Sequence, residues 1–256
     1  MTNSKQKFQL NLPGLLKVLA EHLYSTRKVA IRELIQNAHD SCIRRQAEDR
    51  LSHYRPRVQI KTVPQTRTII IEDNGAGMTE EEIINYLTTI GNSYTRELSQ
   101  QLQFLSPDEA SRLIGQFGLG FLSAFLIASE VELVTRSYQS DQAFRWRSDG
   151  SEYFDLEPTR HDTVGTVVEI TLKPEAQFLL GDSVLLETVR KYADFLPIPI
   201  YINDDPAPAN LMTPPWEAAD PESAIPEYIS RVFKQNDIIT AIQLHDQTVD
   251  LGHDTI

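Results

Sequence analysis

The stretch VQIKTVPQTRTIIIEDNGAGM, residues 58–78, limits the possible folds of this chain more than any other stretch. Alternation in VQIKTV and RTIIIED, with PQT as a turn between them, predicts a β-hairpin that ends at Asp73. The second strand runs into Gly75 and Gly77, which allow a sharp turn and a close approach of a planar ligand to the backbone. A plain tight turn, with Asp73 and Asn74 as turn formers, explains the same residues equally well.

The rest of the chain adds helices and further strands around this hairpin. Apolar residues at helical spacing predict helices over 14–24, 26–47, 79–90 (with Thr79 as N-cap), 121–128 and 183–195, and strand-like patterns are VELVTR, AFRWRS, GTVVEITL and PIPIYI. Polar residues 91–114 are typical of a mobile lid. Together these elements predict an α+β fold, a two-layer sandwich of a mostly antiparallel sheet covered on one face by helices.

A proline-rich segment near the end of the chain predicts a domain boundary. The sequence DDPAPANLMTPP has few periodic apolar residues, so we expect a first domain over 1–203 and a linker over 204–216. Residues 217–256 contain a helical pattern and the strand-like IITAIQL, too few for a second core. We therefore expect this chain to be a piece of a longer protein.

Composition excludes several classes of function. A formal net charge of −12 argues against broad binding to nucleic acid or to an anionic membrane, because both use basic surfaces. The single cysteine, Cys42, excludes an internal disulfide or a thiolate metal site and is expected to fill core space. No signal peptide precedes the first helix and no apolar run could span a bilayer, so a cytoplasmic location is predicted.

The helix containing RELIQNAHD carries acidic and amide side chains on one face. Glu33, Asn37 and Asp40 fall on the side opposite an apolar stripe of Ile31, Leu34, Ile35, Ala38 and Cys42. Such a face is either the solvated side of an amphipathic helix or the wall of a catalytic site. Spacing alone does not decide between these interpretations.

A glycine-rich loop precedes the apolar helix at 121–128. Three glycines in IGQFGLGF, at positions 115, 118 and 120, leave backbone N–H groups free to bind an anion at a helix N-terminus. Glycine-rich turns before buried helices also occur without any ligand. The chain has neither a GxxxxGK[ST] P-loop nor a GxGxxG after a strand, so any phosphate site belongs to another architecture.

The order of these motifs resembles that of the GHKL ATPases, and among them most closely the heat-shock protein 90 chaperones of bacterial type. LYSTRKVAIRELIQNAHD resembles their opening helices, GQFGLGFLSAFLIASEVELVTR their glycine loop, and KYADFLPIPIYI the end of their amino-terminal domain. The resemblance covers nearly the whole chain. It implies the amino-terminal ATP-binding domain with the start of the middle domain attached.

The resemblance also implies roles for individual residues. Glu33 is expected to be the catalytic base, with Arg32 holding it, and Asn37 to be the Mg²⁺ ligand. The nucleotide is expected to contact Asp73, Gly77, Met78 and Thr166 at the adenine, Asp40 and Ser41 on the helix wall, and Asn92, Gly115, Gln116, Phe117, Gly118, Leu119, Gly120 and Phe121 near the phosphates. Two positions depart from the family, since Tyr86 replaces a common asparagine and Asn92 a common lysine.

The function that follows is that of an ATP-dependent molecular chaperone. We expect ATP or ADP with Mg²⁺ as cofactors, unfolded proteins as clients, a homodimer in the full-length protein, a mainly monomeric and weakly hydrolysing state for this chain, and no nucleic-acid or membrane partner. Three alternatives stay open: a DNA-repair or topoisomerase-type ATPase, a histidine-kinase-type phosphotransferase, and a nucleotide-binding scaffold without turnover.

Overall fold

The computed structural model describes residues 27–49, 53–88, 120–151 and 153–233. The predicted helix at 14–24, the lid-like segment 91–114 and the strand-like IITAIQL lie outside these residues. The chain divides into two compact units, Met1–Met212 and Thr213–Ile256. In the second unit the described elements are a 3-10 turn, Pro215–Glu217, and a helix, Pro221–Phe233.

In the described part of the first unit, seven strands form one central sheet. Its strands are β1 (Val58–Val63), β2 (Thr68–Asp73), β3 (Ala128–Arg136), β4 (Ala143–Ser148), β5 (Asp155–Thr159), β6 (Gly165–Leu172) and β7 (Ile200–Ile202), in the spatial order β5-β4-β3-β6-β2-β1-β7. All neighbours are antiparallel except β1 and β7. The sequence did not predict β5, which contains Pro158 and lies at an edge, where a missing N–H donor is tolerated.

The predicted hairpin is confirmed. Strands β1 and β2 pair in the register Val58↔Asp73 to Val63↔Thr68. The central position of β2 explains its apolar run, since Ile69 and Ile71 on one face are buried while Ile70 is half-buried on the other. Asp73 therefore lies at the end of a central strand of the sheet and not on an exposed edge strand.

Helix α1, Lys28–Glu48, packs its predicted apolar stripe against the sheet. Ile31 and Cys42 are fully buried, and Leu34, Ile35 and Ala38 are buried beside them. Each fully buried leucine or isoleucine contributes about 1.5–3 kcal/mol. Helix α4, Asp182–Ala193, packs beside α1 and buries Leu185 and Val189. Helices packed on the mostly antiparallel sheet confirm the predicted α+β class.

Along the chain, one short described helix follows β2 and another precedes β3. Helix α2, Glu80–Ile83, begins at the predicted N-cap: Thr79 Oγ1 accepts the Glu82 N–H, and the Glu82 carboxylate accepts the Thr79 N–H. The helix then widens into a π-helix, Ile84–Thr88. Before β3, a 3-10 turn, Phe121–Ser123, leads into α3, Ala124–Ile127. None of the helices within the described ranges is both long and apolar enough to cross a membrane.

Candidate functional site

A cavity of about 970 Å³ opens between α1 and the sheet. Its polar lining includes Glu33, Asn37, Asp40, Ser41, Asp73 and Thr166, and its apolar lining includes Ile71, Met78, Leu87, Phe121, Leu133 and Val168. A mostly apolar pocket with a few convergent polar groups is the usual form of a small-molecule site. The face of α1 that carries Glu33, Asn37 and Asp40 thus lines a cavity, and Asn37 and Asp40 on that face are also exposed to solvent.

Asp73 lies at the floor of this cavity and is 7% exposed. Its Oδ1 accepts hydrogen bonds from Ser41 Oγ at 3.0 Å and from the Gly75 N–H at 2.8 Å. Burial raises the pKa of the Asp73 carboxyl from 3.8 to about 7, although these donors and the backbone of Thr166 pull it down. Among the described residues Asp73 has no cationic ion-pair partner, and such a buried acceptor is suited to bind the N–H donors of a ligand.

Thr166 stands next to Asp73 because β2 and β6 pair in the register Asp73↔Thr166. The Thr166 hydroxyl lies 3.0 Å from that of Thr135, which is fully buried on β3. Thr135 Oγ1 also accepts the Met78 N–H at 3.0 Å. Thr135 was not among the predicted site residues, although it alternates in phase with buried Val131 and Leu133 and is therefore a polar residue at an inward position.

The loop after Asp73 lies between α1 and the β3–β4 connection and hydrogen-bonds to both. The Ala76 N–H donates to the Ser41 carbonyl at 2.9 Å, and the Ala76 carbonyl accepts the Tyr138 N–H at 2.9 Å. Gly77 adopts φ +63°, and a Cβ placed there would lie 2.0 Å from the Arg136 carbonyl oxygen. Only glycine fits both the backbone conformation and the space.

Gly77→Ala is expected to destabilise the protein by at least about 2 kcal/mol, since it combines a left-handed backbone with a main-chain clash. Gly181→Ala is the matched control, because the nearest atom to its Cβ would be an ordinary 3.5 Å away. Thermal unfolding of both variants measures the effect. Equal midpoints for the two variants would contradict the close approach at Gly77.

Glu33 and Arg32 form an ion pair at the cavity wall. Arg32 Nη2 lies 2.5 Å and Nε 3.0 Å from Glu33 Oε1, while the guanidinium lies 5.7 Å from the centre of the Tyr192 ring. The Glu33 side chain is 12% exposed. A Cβ at Gly120 would lie 2.7 Å from Glu33 Oε2, so the second carboxylate oxygen faces the end of the glycine-rich loop. One oxygen is thus held and the other is directed toward that loop.

The remaining wall residues of α1 lie along the same cavity. Asn37 is exposed one turn after Glu33. The Asp40 carboxylate accepts hydrogen bonds from Gln36 at 2.8 Å and lies 2.9 Å from His39 Nδ1. Within the described ranges no cluster of three histidine, cysteine or carboxylate side chains could hold a metal ion by itself.

The predicted residues of the glycine-rich loop divide between described and undescribed parts of the chain. Asn92, Gly115, Gln116, Phe117, Gly118 and Leu119 lie outside the described residues, whereas Gly120 and Phe121 line the cavity. Tyr86, on the π-helix, also lines the cavity but is 63% exposed. Its neighbour Asn85 lines the cavity as well and was not predicted. The π-helix breaks the 3.6-residue spacing that would have placed these side chains.

Fold and cavity together define a GHKL-type nucleotide-binding domain. A family model described as "Histidine kinase-, DNA gyrase B-, and HSP90-like ATPase" matches residues 24–160. The chain belongs to this family of ATPases and, within it, to the HSP90/HtpG branch.

Relatives from bacteria and mitochondria support that placement. The chain is 33% identical over 210 residues to the chaperone protein HtpG of Shouchella clausii, covering 78% of the chain and 33% of the relative. It is 37% identical over 210 residues to the mitochondrial 75 kDa heat shock protein of Rattus norvegicus, covering 78% and 29%. For HtpG of Chromobacterium violaceum the identity is 38% over 201 residues, which cover 75% of the chain and 31% of the relative. The chain therefore spans about a third of the length of these relatives.

Proposed function

We propose that this chain binds ATP with Mg²⁺ in the cavity between α1 and the sheet, and hydrolyses it slowly. The observation that carries the proposal is a buried carboxylate acceptor, Asp73, in the same cavity as an oriented carboxylate, Glu33. The first suits recognition of a base and the second suits activation of water. A scaffold without turnover needs the first group but not the second.

Adenine recognition is assigned to Asp73 and the loop that follows it. The exocyclic amino group donates to Asp73, whereas guanine presents a carbonyl oxygen at that position. Gly77 lets the base approach the backbone, and Met78, half-buried against the core, packs on the base. Thr166 completes the floor of the base pocket.

Phosphate binding is assigned to the glycine-rich loop and the exposed end of the α1 face. Gly120 and Phe121, with 115–119 and Asn92, supply donors around the phosphates. Asp40 and Ser41 line the same wall of α1, and Ser41 Oγ donates to Asp73 at the base end of the cavity. Asn37 fits a Mg²⁺ ion that keeps most of its ligands from phosphate and water, because its exposed amide offers a single oxygen. When bound, Mg²⁺ neutralises charge on the phosphates.

Hydrolysis is assigned to Glu33 and Arg32. Glu33 accepts a proton from water as the water oxygen bonds to the γ-phosphorus and ADP leaves. Arg32 holds one carboxylate oxygen and thereby directs the other toward the water. The role of Arg32 is to position the base rather than to touch the reacting atoms.

At the level of the whole protein, we propose a cytoplasmic chaperone that acts on unfolded client proteins as a homodimer. The relatives that carry this proposal are chaperone proteins HtpG. Residues 1–203 would be the ATP-binding domain, 204–216 the linker and 217–256 the start of the middle domain, with this chain alone mainly monomeric. A net charge of −12 disfavours the DNA-repair alternative.

Titration calorimetry of Mg·ADP into the chain, with Mg·GDP as the control, tests the proposed nucleotide site. ADP is expected to bind with micromolar affinity and GDP is expected not to bind. Failure of ADP to bind the folded chain would remove the proposed function and leave a fold retained for another purpose.

ADP affinity is expected to fall as the pH is lowered through about 7, because protonation removes the charge that strengthens the hydrogen bond from the amino group to Asp73 and turns one carboxyl oxygen into a donor. Below that pKa, Kd should rise by up to about tenfold for each unit by which the pH is lowered. Calorimetry across this range measures the slope. An affinity that does not change across the titration of Asp73 would show that the carboxylate does not contact the base.

A further inference from the structure

Three polar side chains stand in one row across adjacent strands of the sheet. Asp73 on β2 pairs with Thr166 on β6, and Thr166 pairs with Thr135 on β3. Directly paired residues in a sheet point to the same face, so the three side chains are neighbours. Asp73 and Thr166 line the cavity, whereas Thr135 is 0% exposed and does not.

The hydrogen bonds of Thr135 use all the capacity of a hydroxyl group. Oγ1 accepts the Met78 N–H at 3.0 Å and donates its only proton to the Gly165 carbonyl at 3.0 Å. One lone pair remains, and the Thr166 hydroxyl lies 3.0 Å away. A hydroxyl has one donor and two acceptor positions, so Thr166 must be the donor in this contact. If Thr135 donated to Thr166 instead, the Gly165 carbonyl would lose its hydrogen bond from Thr135, and one buried lone pair of Thr135 would have no donor.

We infer that Thr135 is a positioning residue that fixes the direction of the Thr166 hydroxyl, so that this hydroxyl presents only lone pairs to the cavity. The ionised Asp73 carboxylate also accepts only. The floor of the pocket is therefore a row of two acceptors with no donor. This inference rests on the proposed nucleotide function and gives it a mechanism of base selection.

An acceptor-only floor selects a ligand edge that carries hydrogens. An exocyclic amino group has two N–H donors and satisfies both Asp73 and Thr166, directly or through a shared water. A carbonyl oxygen at the same position faces two acceptors and gains no hydrogen bond there. The 6-amino purine is thus favoured over the 6-oxo purine by Thr166 as well as by Asp73.

The test compares Kd for Mg·ADP and Mg·IDP in the wild type, in Thr135→Val and in Thr135→Ser, at a pH well above the pKa of Asp73. Valine removes the acceptor of the Thr166 proton and frees that proton to donate to the inosine carbonyl. The ratio of Kd for IDP to Kd for ADP is expected to fall about three- to tenfold in Thr135→Val, the value of one net hydrogen bond. Serine keeps the hydroxyl and is expected to restore the ratio.

The ratio of the two Kd values separates base selection from a general loss of stability, because a less stable protein binds both nucleotides more weakly by the same factor. An unchanged ratio in a folded, ADP-binding Thr135→Val would overturn the inference. Failure of the wild type to bind either nucleotide would instead remove the proposed function. Neutron diffraction of the wild type then decides the inference on its own: deuterium on the line from Thr166 Oγ1 to Thr135 Oγ1 supports it, and deuterium directed into the cavity refutes it.

Discussion

Asp73→Asn is expected to weaken ADP binding by about tenfold to a hundredfold or more, the value of a charge-assisted hydrogen bond to a buried acceptor. The substitution keeps the size of the side chain, and an amide oxygen can still accept from Ser41 and the Gly75 N–H. Its amide nitrogen, however, presents donors where the amino group of the base also donates. Calorimetry with Mg·ADP measures the loss.

The same substitution is expected to stabilise the ligand-free protein. The pKa of Asp73 is raised from 3.8 in an unfolded chain to about 7 in the folded one. The folded protein therefore binds this proton more tightly, and the resulting stability is present below about pH 4 and lost as the pH rises through about 7. Above that pH, asparagine avoids the cost of a buried charge and should gain on the order of 1–4 kcal/mol.

Asp194→Asn is the matched control for both effects. The half-buried Asp194 carboxylate accepts the Leu211 N–H at 2.8 Å and does not line the cavity. Asp194→Asn should leave the affinity for ADP unchanged and should not raise the midpoint of thermal unfolding. Tight ADP binding by Asp73→Asn would exclude Asp73 as the group that recognises adenine. A lower midpoint would show that ionised Asp73 stabilises the fold.

Glu33→Ala is expected to lower the rate of ATP hydrolysis by about 10²- to 10⁴-fold, the usual contribution of a general base. Nucleotide affinity should change little, because Glu33 is not assigned to the base or to the metal. The rate is best measured with the chain in excess over ATP, so that a single slow turnover is followed. Binding and rate are thus separated in one protein.

Glu157→Ala is the control for this rate. Glu157 lies on the edge strand β5, outside the cavity, and its exposed carboxylate pairs with Arg145 on β4. It should hydrolyse ATP like the wild type. If Glu33→Ala turned over at the wild-type rate, the base assignment would be wrong, and the chain would bind nucleotide with its chemistry elsewhere. Equal loss in both variants would indicate a folding defect.

The two carboxylates illustrate opposite relations between stability and function. Asp73 is buried with no cationic partner in the described part of the chain, and its ionised form lowers the stability of the fold until a ligand's N–H donors offset that cost. Glu33 is held by Arg32 and remains partly accessible. The contact between a nucleotide and Asp73 is therefore expected to supply most of the stabilisation on binding. Glu33 is already oriented by Arg32 before any nucleotide binds.

The sequence predicted local structure well where one physical signal dominated. The hairpin of β1 and β2 followed from alternation and the turn, and Thr79 began α2 because a threonine hydroxyl and Glu82 satisfy the free N–H groups there. Strand β5 was missed, since an edge strand with charged residues and Pro158 carries little apolar pattern. The π-helix at Ile84–Thr88 was missed because helical spacing assumes 3.6 residues per turn.

By itself the sequence determined which side chains share a local element: Glu33, Asn37 and Asp40 on one helix face, and Asp73 at a strand end before two glycines. Helical and strand periodicity are properties of the backbone, so they can be read from spacing alone. Only the tertiary structure decided that this helix face is a cavity wall and that Asp73, Thr166 and Thr135 form one row. Strand order and register depend on how distant segments bury their apolar faces together, and no local pattern records them.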